Sequence, residues 1–351
     1  MNNLLLIDGH SIMNRAFYGI PMLTNHEGIH TNAIYGFINI MLKAMEDEKS
    51  DHIAVAFDLK APTFRHKMYE MYKGTRKPMP AELHEQVPVI KEILASMNIP
   101  VITLEGYEAD DILGTVGKKA QSLGYNVVIL SGDRDLLQLA DEHIKIRLPK
   151  TIKGRTEIEN YYPEDVMEKY MATPSEFIDL KALMGDSSDN IPGVPGIGEK
   201  TAMSIISKYH SIENAYEHVE ELTPTKAKNS LRENYDLAKL SKVLATIETD
   251  APVEFNIEDS AIGNIFTKEA YELFTRYELK SLLKYFDKSS FEQKEIPEEN
   301  YNLDEDFEDE EEIVTLHNEN TDKDEDFRVV WYIEDGGKNY LFLNPVDPSD
   351  D

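Results

Sequence analysis

Five short apolar runs, NLLLID (3–8), HIAVAFD (52–58), IPVITL (99–104), NVVILSGD (126–133) and HIKIRL (143–148), are rich in β-branched residues and end at turn or polar positions. That pattern predicts buried strands. Between them apolar residues recur at helical spacing. Ile34, Phe37, Ile38, Met41, Leu42 and Met45 share one face of TNAIYGFINIMLKAMED, and Val89, Ile90, Ile93, Leu94 and Met97 share one face of AELHEQVPVIKEILASM. Strands alternating with helices imply an α/β fold with a largely parallel sheet and helices on both faces. From 163 to 290 the pattern is almost wholly helical, punctuated by Gly and Pro in GDSSDNIPGVPGIGEKT, and predicts a helical region packed on the sheet domain of residues 1–162. Residues 291–327, dominated by Asp, Glu and Asn, have the composition of a disordered linker. FRVVWYIEDGGKNYLFLNP reads as two strands around EDGGKN. A lone hairpin is marginally stable, so residues 328–351 are expected to open a further domain.

Composition narrows the chemistry. The 351 residues include no cysteine, which excludes disulfides, thiolate metal sites and cysteine nucleophiles. The first residues, MNNLLLIDGHS, hold too short an apolar run for a signal peptide or a membrane span, so a cytoplasmic protein without membrane contact is expected. A formal charge of −30 argues against a nucleic-acid partner until its distribution is examined. Residues 291–351 carry 22 acids against 4 bases, whereas KAPTFRHKMYEMYKGTRKP (60–78) carries six Lys or Arg and one acid. A basic patch exists inside an acidic protein.

The acids supply the candidate site. Asp8 and Asp58 end the first two predicted strands, Asp133 and Asp135 follow the fourth, and Glu108, Asp110 and Asp111 open the helix after the third. Acids at a helix start can be explained by its unpaired amides and dipole. Seven carboxylates at one edge of one sheet exceed that explanation, because ligands of open α/β sheets bind at the carboxyl ends of the strands. Asp186 and Asp189, three apart in MGDSSDNIPG, can join them. Such a donor set suits two or more Mg²⁺ or Mn²⁺ ions and phosphodiester hydrolysis.

Within the basic stretch, Lys73 and Arg76 suit phosphate contact and Tyr72 suits stacking on a base, with core packing as its alternative. IPGVPGIGEKT (191–201) is a glycine turn, with Gly193, Gly196 and Gly198, leading into a helix that carries Lys200. Its glycines permit close backbone approach and its helix start offers amide donors, which fits a sequence-independent clamp on a DNA backbone better than a dinucleotide site.

Taken in order, LIDGHSIMNRAF, VAFDLKAPTFRHKMYEMYKGTRKPMP, GYEADD, SGDRD, LMGDSSDNIPGVPGIGEKTA and LATIETDAPV resemble the 5′-nuclease family that includes the N-terminal domain of bacterial DNA polymerase I, phage 5′-exonucleases and flap endonucleases. The resemblance spans about residues 1–290 and implies a PIN-like fold with a helical arch at about 60–80 and a helix-three-turn-helix subdomain that holds K⁺. It implies that Asp8, Asp58, Glu108, Asp110, Asp111, Asp133, Asp135, Asp186 and Asp189 are metal-site acids. Arg15, Lys73 and Arg76 become phosphate-contacting cations, Tyr72 an arch aromatic, Lys200 a clamp residue and Arg65 a further DNA contact. The implied activity is a 5′ to 3′ exonuclease and flap endonuclease acting as a monomer on branched or nicked DNA with a 5′ flap and on RNA primer–DNA hybrids. The chain stops where the relatives continue, so no polymerase activity is expected in it. Two rivals stand beside this reading: a PIN-type RNA nuclease, and a branched-DNA binding protein in which the acids are only structural.

Overall fold

The computed structural model describes residues 2–152, 155–287, 289, 291, 313–318, 323–335 and 338–345. They fall in two units, Met1–Gln293 and Lys294–Asp351. The first unit contains six strands: β1 (Asn3–Asp8), β2 (His52–Ala56), β3 (Val101–Ile102), β4 (Asn126–Leu130), β5 (Ile144–Ile152) and β6 (Arg155–Tyr161). They lie in the order β3-β2-β1-β4-β5-β6. All neighbours are parallel except β5 and β6. The expected sheet is therefore present, and β6 is an added antiparallel edge.

The helices between and after the strands are α1 (Gly9–Gly19), α2 (Asn32–Glu48), α3 (Phe64–Met68), α4 (Ala81–His84), α5 (Gln86–Ser96), α6 (Ala109–Ser122), α7 (Pro163–Tyr170), α8 (Pro174–Met184), α9 (Glu199–Tyr209), α10 (Ile212–Glu217), α11 (Thr225–Glu233), α12 (Tyr235–Ala245) and α13 (Lys268–Arg276). Side-chain alternation along the strands builds a core on each face. Leu4, Leu6, Ala54, Val127 and Ile129 pack with α6, α8 and α9 on one side. Leu5, Ile7, Ile53, Val55 and Leu130 pack with α1, α2, α5 and α13 on the other. The helical region thus contributes to both cores of the sheet. Of the expected arch, the structure holds only the five-residue α3, and residues 70–75 beyond it are turn rather than helix.

The second unit is a three-stranded antiparallel sheet, β7 (Ile313–Asn318), β8 (Lys323–Asp335) and β9 (Lys338–Pro345), in that order. β8 and β9 are the expected hairpin, paired Asp335 to Lys338 at its turn. The expected disordered linker over 291–327 needs correction: 313–318 and 323–327 are strand, with Ile313 opposite Arg328. An acid-rich composition hid an alternating IVTLHN segment. The rest of that linker, apart from Phe291, lies outside the described residues.

Candidate metal centre

Parallel pairing sends the carboxyl ends of β1, β2 and β4 to one edge, and the chain crosses from one side of β1 to the other between β3 and β4, which opens a crevice there. Asp8, the last residue of β1, caps α1 by accepting Ser11 N at 3.0 Å and also accepts Ser131 Oγ at 2.7 Å. Asp58 stands just beyond β2. It accepts Ala109 N at 2.9 Å, and His10 Nδ1 lies 3.2 Å from its other oxygen. Glu108 caps α6, with Asp110 in the first turn. Asp133, in the loop after β4, accepts Asp135 N at 2.9 Å.

Two clefts result. Asp8, Asp58, Glu108, Asp110 and Asp133 line one of about 240 Å³, together with His10, Asn14, Lys73 and Arg76. Asp133, Asp135 and Asp186 line the other, of about 440 Å³, together with Arg134, Tyr170, Lys181 and Ser188. Ser11 and Asp133 belong to both walls. Seven of the nine expected acids therefore converge.

Their electrostatics fit a cation. Burial, reinforced by Asp58 and Asp133, pushes Asp8 up to about 6. Burial and the charges of Asp133 and Asp8 push Asp110 well above the usual carboxylate range, and among the described residues none donates it a hydrogen bond. Burial and Asp133 push Asp135 up to about 7. Against burial, His10 and the Ala109 amide hold Asp58 at about 2. Among the described residues no three such side chains close into a finished metal cage. A hydrated Mg²⁺ that keeps several waters does not need one.

These shifts set the sign of the pH dependence. A carboxyl raised on folding binds its proton more tightly in the folded state, so its stabilisation is present at low pH and lost as pH rises through about 6 for Asp8 and about 7 for Asp135. Without divalent ions, thermal scans are expected to give a lower Tm at pH 8 than at pH 5. Mg²⁺ should restore more at pH 8, and an equal Mg²⁺ shift at both values counts against a site made of these carboxylates.

Four expected roles change. Asp111 faces neither cleft: it is fully buried, and Arg65 grips it with two bonds of 2.8 Å. It also accepts the amides of Glu108 and Glu248, each at 2.9 Å, which fills its oxygens. Arg65, 2% exposed, is likewise out of reach of DNA and donates also to the carbonyls of Leu244 and Thr246. Tyr72 is buried, not poised for stacking, and its hydroxyl bonds Glu108 and Asp189 at 3.1 Å each. Gly193 is no phosphate contact, because its buried amide donates to Ser241 Oγ and an added Cβ would meet Gly185 N at 2.4 Å.

The remaining expected residues lie as follows. Lys73 Nζ sits 2.8 Å from Glu108 and 3.7 Å from Asp189, and Arg76 bonds Asp189 and, at 3.2 Å, the Ser188 carbonyl. Asp189 lines neither cleft but fastens the basic stretch, since Lys73 N also donates to its carbonyl at 2.8 Å. Arg15, partly buried on α1, lines neither cleft. Gly196, at φ +80°, and exposed Gly198, the cap of α9, present the start of that helix, with Lys200 exposed in its first turn. His10, Ser131 and Lys181 were not singled out in the sequence. Only His10 carried a signal, two residues after Asp8.

The 5′-3′ exonuclease N-terminal resolvase-like domain matches residues 3–171, and the 5′-3′ exonuclease C-terminal SAM fold matches residues 172–268. DNA polymerase I of Bacillus caldotenax is 46% identical over 290 residues, covering 83% of this chain and 33% of that protein. DNA polymerase I of Bacillus subtilis (strain 168) is 46% identical over 289 residues, covering 82% and 33%. The chain spans about a third of the length of these curated relatives. Among solved structures, T5 5′-exonuclease with bound zinc aligns at a TM-score of 0.58 and 22% identity over 83% of this chain and 99% of that one. The catalytic core of Rad2 in complex with DNA substrate aligns at 0.55 and 15% over 81% and 91%. At such identities the likeness is one of fold.

Proposed function

The chain belongs to the 5′-3′ exonuclease family, and from that premise we propose that it is a divalent-metal-dependent nuclease that hydrolyses phosphodiesters at 5′ flaps and nicks, including RNA primer–DNA hybrids, in replication and repair in the cytoplasm. The observation that supports it most is the pair of adjoining clefts sharing Asp133, in which carboxylates crowd without enough protein cations to neutralise them. Mg²⁺ or Mn²⁺ bound there supplies an acidified water and neutralises charge on the phosphate. Asp8, Asp58, Asp110 and Asp133 are the residues that would hold it, with Glu108, Asp135 and Asp186 as further oxygens. K⁺ at the helix-three-turn-helix subdomain and action as a monomer belong to the same proposal by resemblance.

The chain's own cations have a second task. Lys73 and Arg76 lie on Glu108 and Asp189 in the wall of the smaller cleft. A phosphate arriving beside them offers those cations a partner whose charge grows during cleavage. The amides at the start of α9, which no side chain among the described residues caps, follow Gly196 and Gly198, suit a backbone phosphate farther along the duplex and read no base. Specificity then rests on the shape of the junction.

Lys73→Ala is expected to slow single-turnover cleavage by about 10²-fold, in the range for losing one preorganised transition-state partner. Duplex binding should weaken far less, and equal losses in both would reduce Lys73 to electrostatic adhesion. The function itself is tested with a 5′-labelled DNA flap incubated with Mg²⁺ and with EDTA, beside single-stranded RNA. Cleavage of the flap that EDTA abolishes is the expected result. Binding without cleavage favours the non-catalytic rival, and preference for the RNA favours an RNA nuclease.

A further inference from the structure

Lys181, on α8, places its ammonium 2.6 Å from Asp135 Oδ1 and bonds Asp186 Oδ2 as well. The residue is only 6% exposed, and its neighbours Leu180, Ala182 and Leu183 are anchored in the core, so the side chain has little freedom to leave. Asp186 is fixed too. Its other oxygen takes Ser188 N and Oγ, and its backbone exchanges hydrogen bonds with Ile191 at 3.0 and 2.8 Å. The ammonium therefore occupies the ground between two carboxylates that wall the larger cleft with Asp133. The smaller cleft is built differently. Lys73, the ammonium in its wall, spans Glu108 and Asp189; its charge is felt at Asp58 and Asp110, but it donates a hydrogen bond to neither.

We propose that Lys181 is a resident counter-cation of Asp135 and Asp186, so that a divalent ion on their side of Asp133 binds only in competition with it, while an ion among Asp8, Asp58 and Asp110 meets carboxylates to which no ammonium is hydrogen-bonded. The inference rests on the divalent-metal reading above and specifies its stoichiometry: one ion held tightly and a second held weakly. An ammonium and a dication repel steeply at contact range in a partly buried site. Displacing the ammonium also breaks two charge-assisted hydrogen bonds and strands a buried charge. Substrate phosphate, which brings its own negative charge, is the natural means of recruiting the second ion.

The experiment is a Mn²⁺ titration of the full chain, with free Mn²⁺ read by electron paramagnetic resonance, for the wild type, Lys181→Met and Lys181→Arg. The wild type should bind one ion, with a second at least about tenfold weaker. Lys181→Met should tighten the second ion by about tenfold or more and leave the first nearly unchanged, while Lys181→Arg should behave as the wild type. Two equally tight ions in the wild type, or a second ion indifferent to Lys181→Met, overturn the proposal. The wild-type count needs no variant and can overturn the proposal even where Lys181→Met does not fold. A wild-type chain that binds no Mn²⁺ and cuts flaps in EDTA overturns the divalent-metal reading itself. One that binds an ion and cuts flaps, with no effect of Lys181, overturns this inference alone.

Discussion

Asp110→Asn is expected to cut flap cleavage by about 10³-fold or more while leaving the Tm unchanged or higher. Both halves come from one fact: the fold makes no use of this carboxylate. Among the described residues nothing donates a hydrogen bond to it, and burial with the charges of Asp133, Asp8 and Asp58 raises its pKa well above the usual range against the pull of Lys73. An amide of the same shape removes that repulsion. Holding a cation against phosphate contributes several kcal/mol, and each ~1.4 kcal/mol is a factor of ten in rate. The checks are single-turnover cleavage in Mg²⁺, flap binding in Ca²⁺ and a thermal scan. A variant with lowered Tm and proportionate loss of activity would show that Asp110 is a structural acid and move the metal elsewhere.

Much of this site was legible because strand ends announce themselves. NLLLID, HIAVAFD and NVVILSGD each close an apolar run with an acid, and parallel pairing then forces those ends to one edge. Periodicity could not show direction. Asp110 and Asp111 are adjacent and chemically identical, yet one faces the cleft and the other the interior. Arg65 lies 46 residues from Asp111 and reads as one more cation of a basic stretch. Lys181 interrupts an apolar helix, FIDLKALMG, where a lysine ordinarily marks a solvent face. β6 was missed for a related reason: RTEIENY is polar, as an antiparallel edge strand with one open face can be.

Nor was the resting place of the basic stretch legible. A run of Lys and Arg next to a strand end suggests a surface waiting for phosphate. In the structure it is tied down from several sides: Tyr72 to Glu108 and Asp189, Arg76 to the Ser188 carbonyl, and Asn190 Nδ2 to the Met71 carbonyl at 2.6 Å. The same charge count supports both arrangements. Only the groups opposite, on the start of α6 and in the loop after α8, decide between them.

The neighbour of Asp110 should fail in the opposite way. Asp111→Asn is expected to destabilise the protein by about 3–5 kcal/mol, the usual cost of breaking a buried pair by removing one partner's charge. That corresponds to a fall in Tm of roughly 6–15 °C. The carboxylate and Arg65 clasp three segments. α3 supplies Arg65, the start of α6 is closed by Glu108 N on Asp111, and the end of α12 is held through the carbonyls of Leu244 and Thr246 and the amide of Glu248. Because α12 also carries Ser241, which receives the Gly193 amide, loosening the clasp disturbs the glycine turn before α9 as well as Glu108 and Asp110. Cleavage should therefore fall together with flap binding, unlike in Asp110→Asn. Arg65→Lys should not rescue, since an ammonium cannot match the two-pronged contact. Arg65→Met combined with Asp111→Leu should not recover full stability either, because it strands the amides of Glu108 and Glu248 and the carbonyls of Leu244 and Thr246. The comparison is read by thermal scans and Mn²⁺ binding together. A stable Asp111→Asn that has lost Mn²⁺ would make this carboxylate a ligand and break the argument for the clasp.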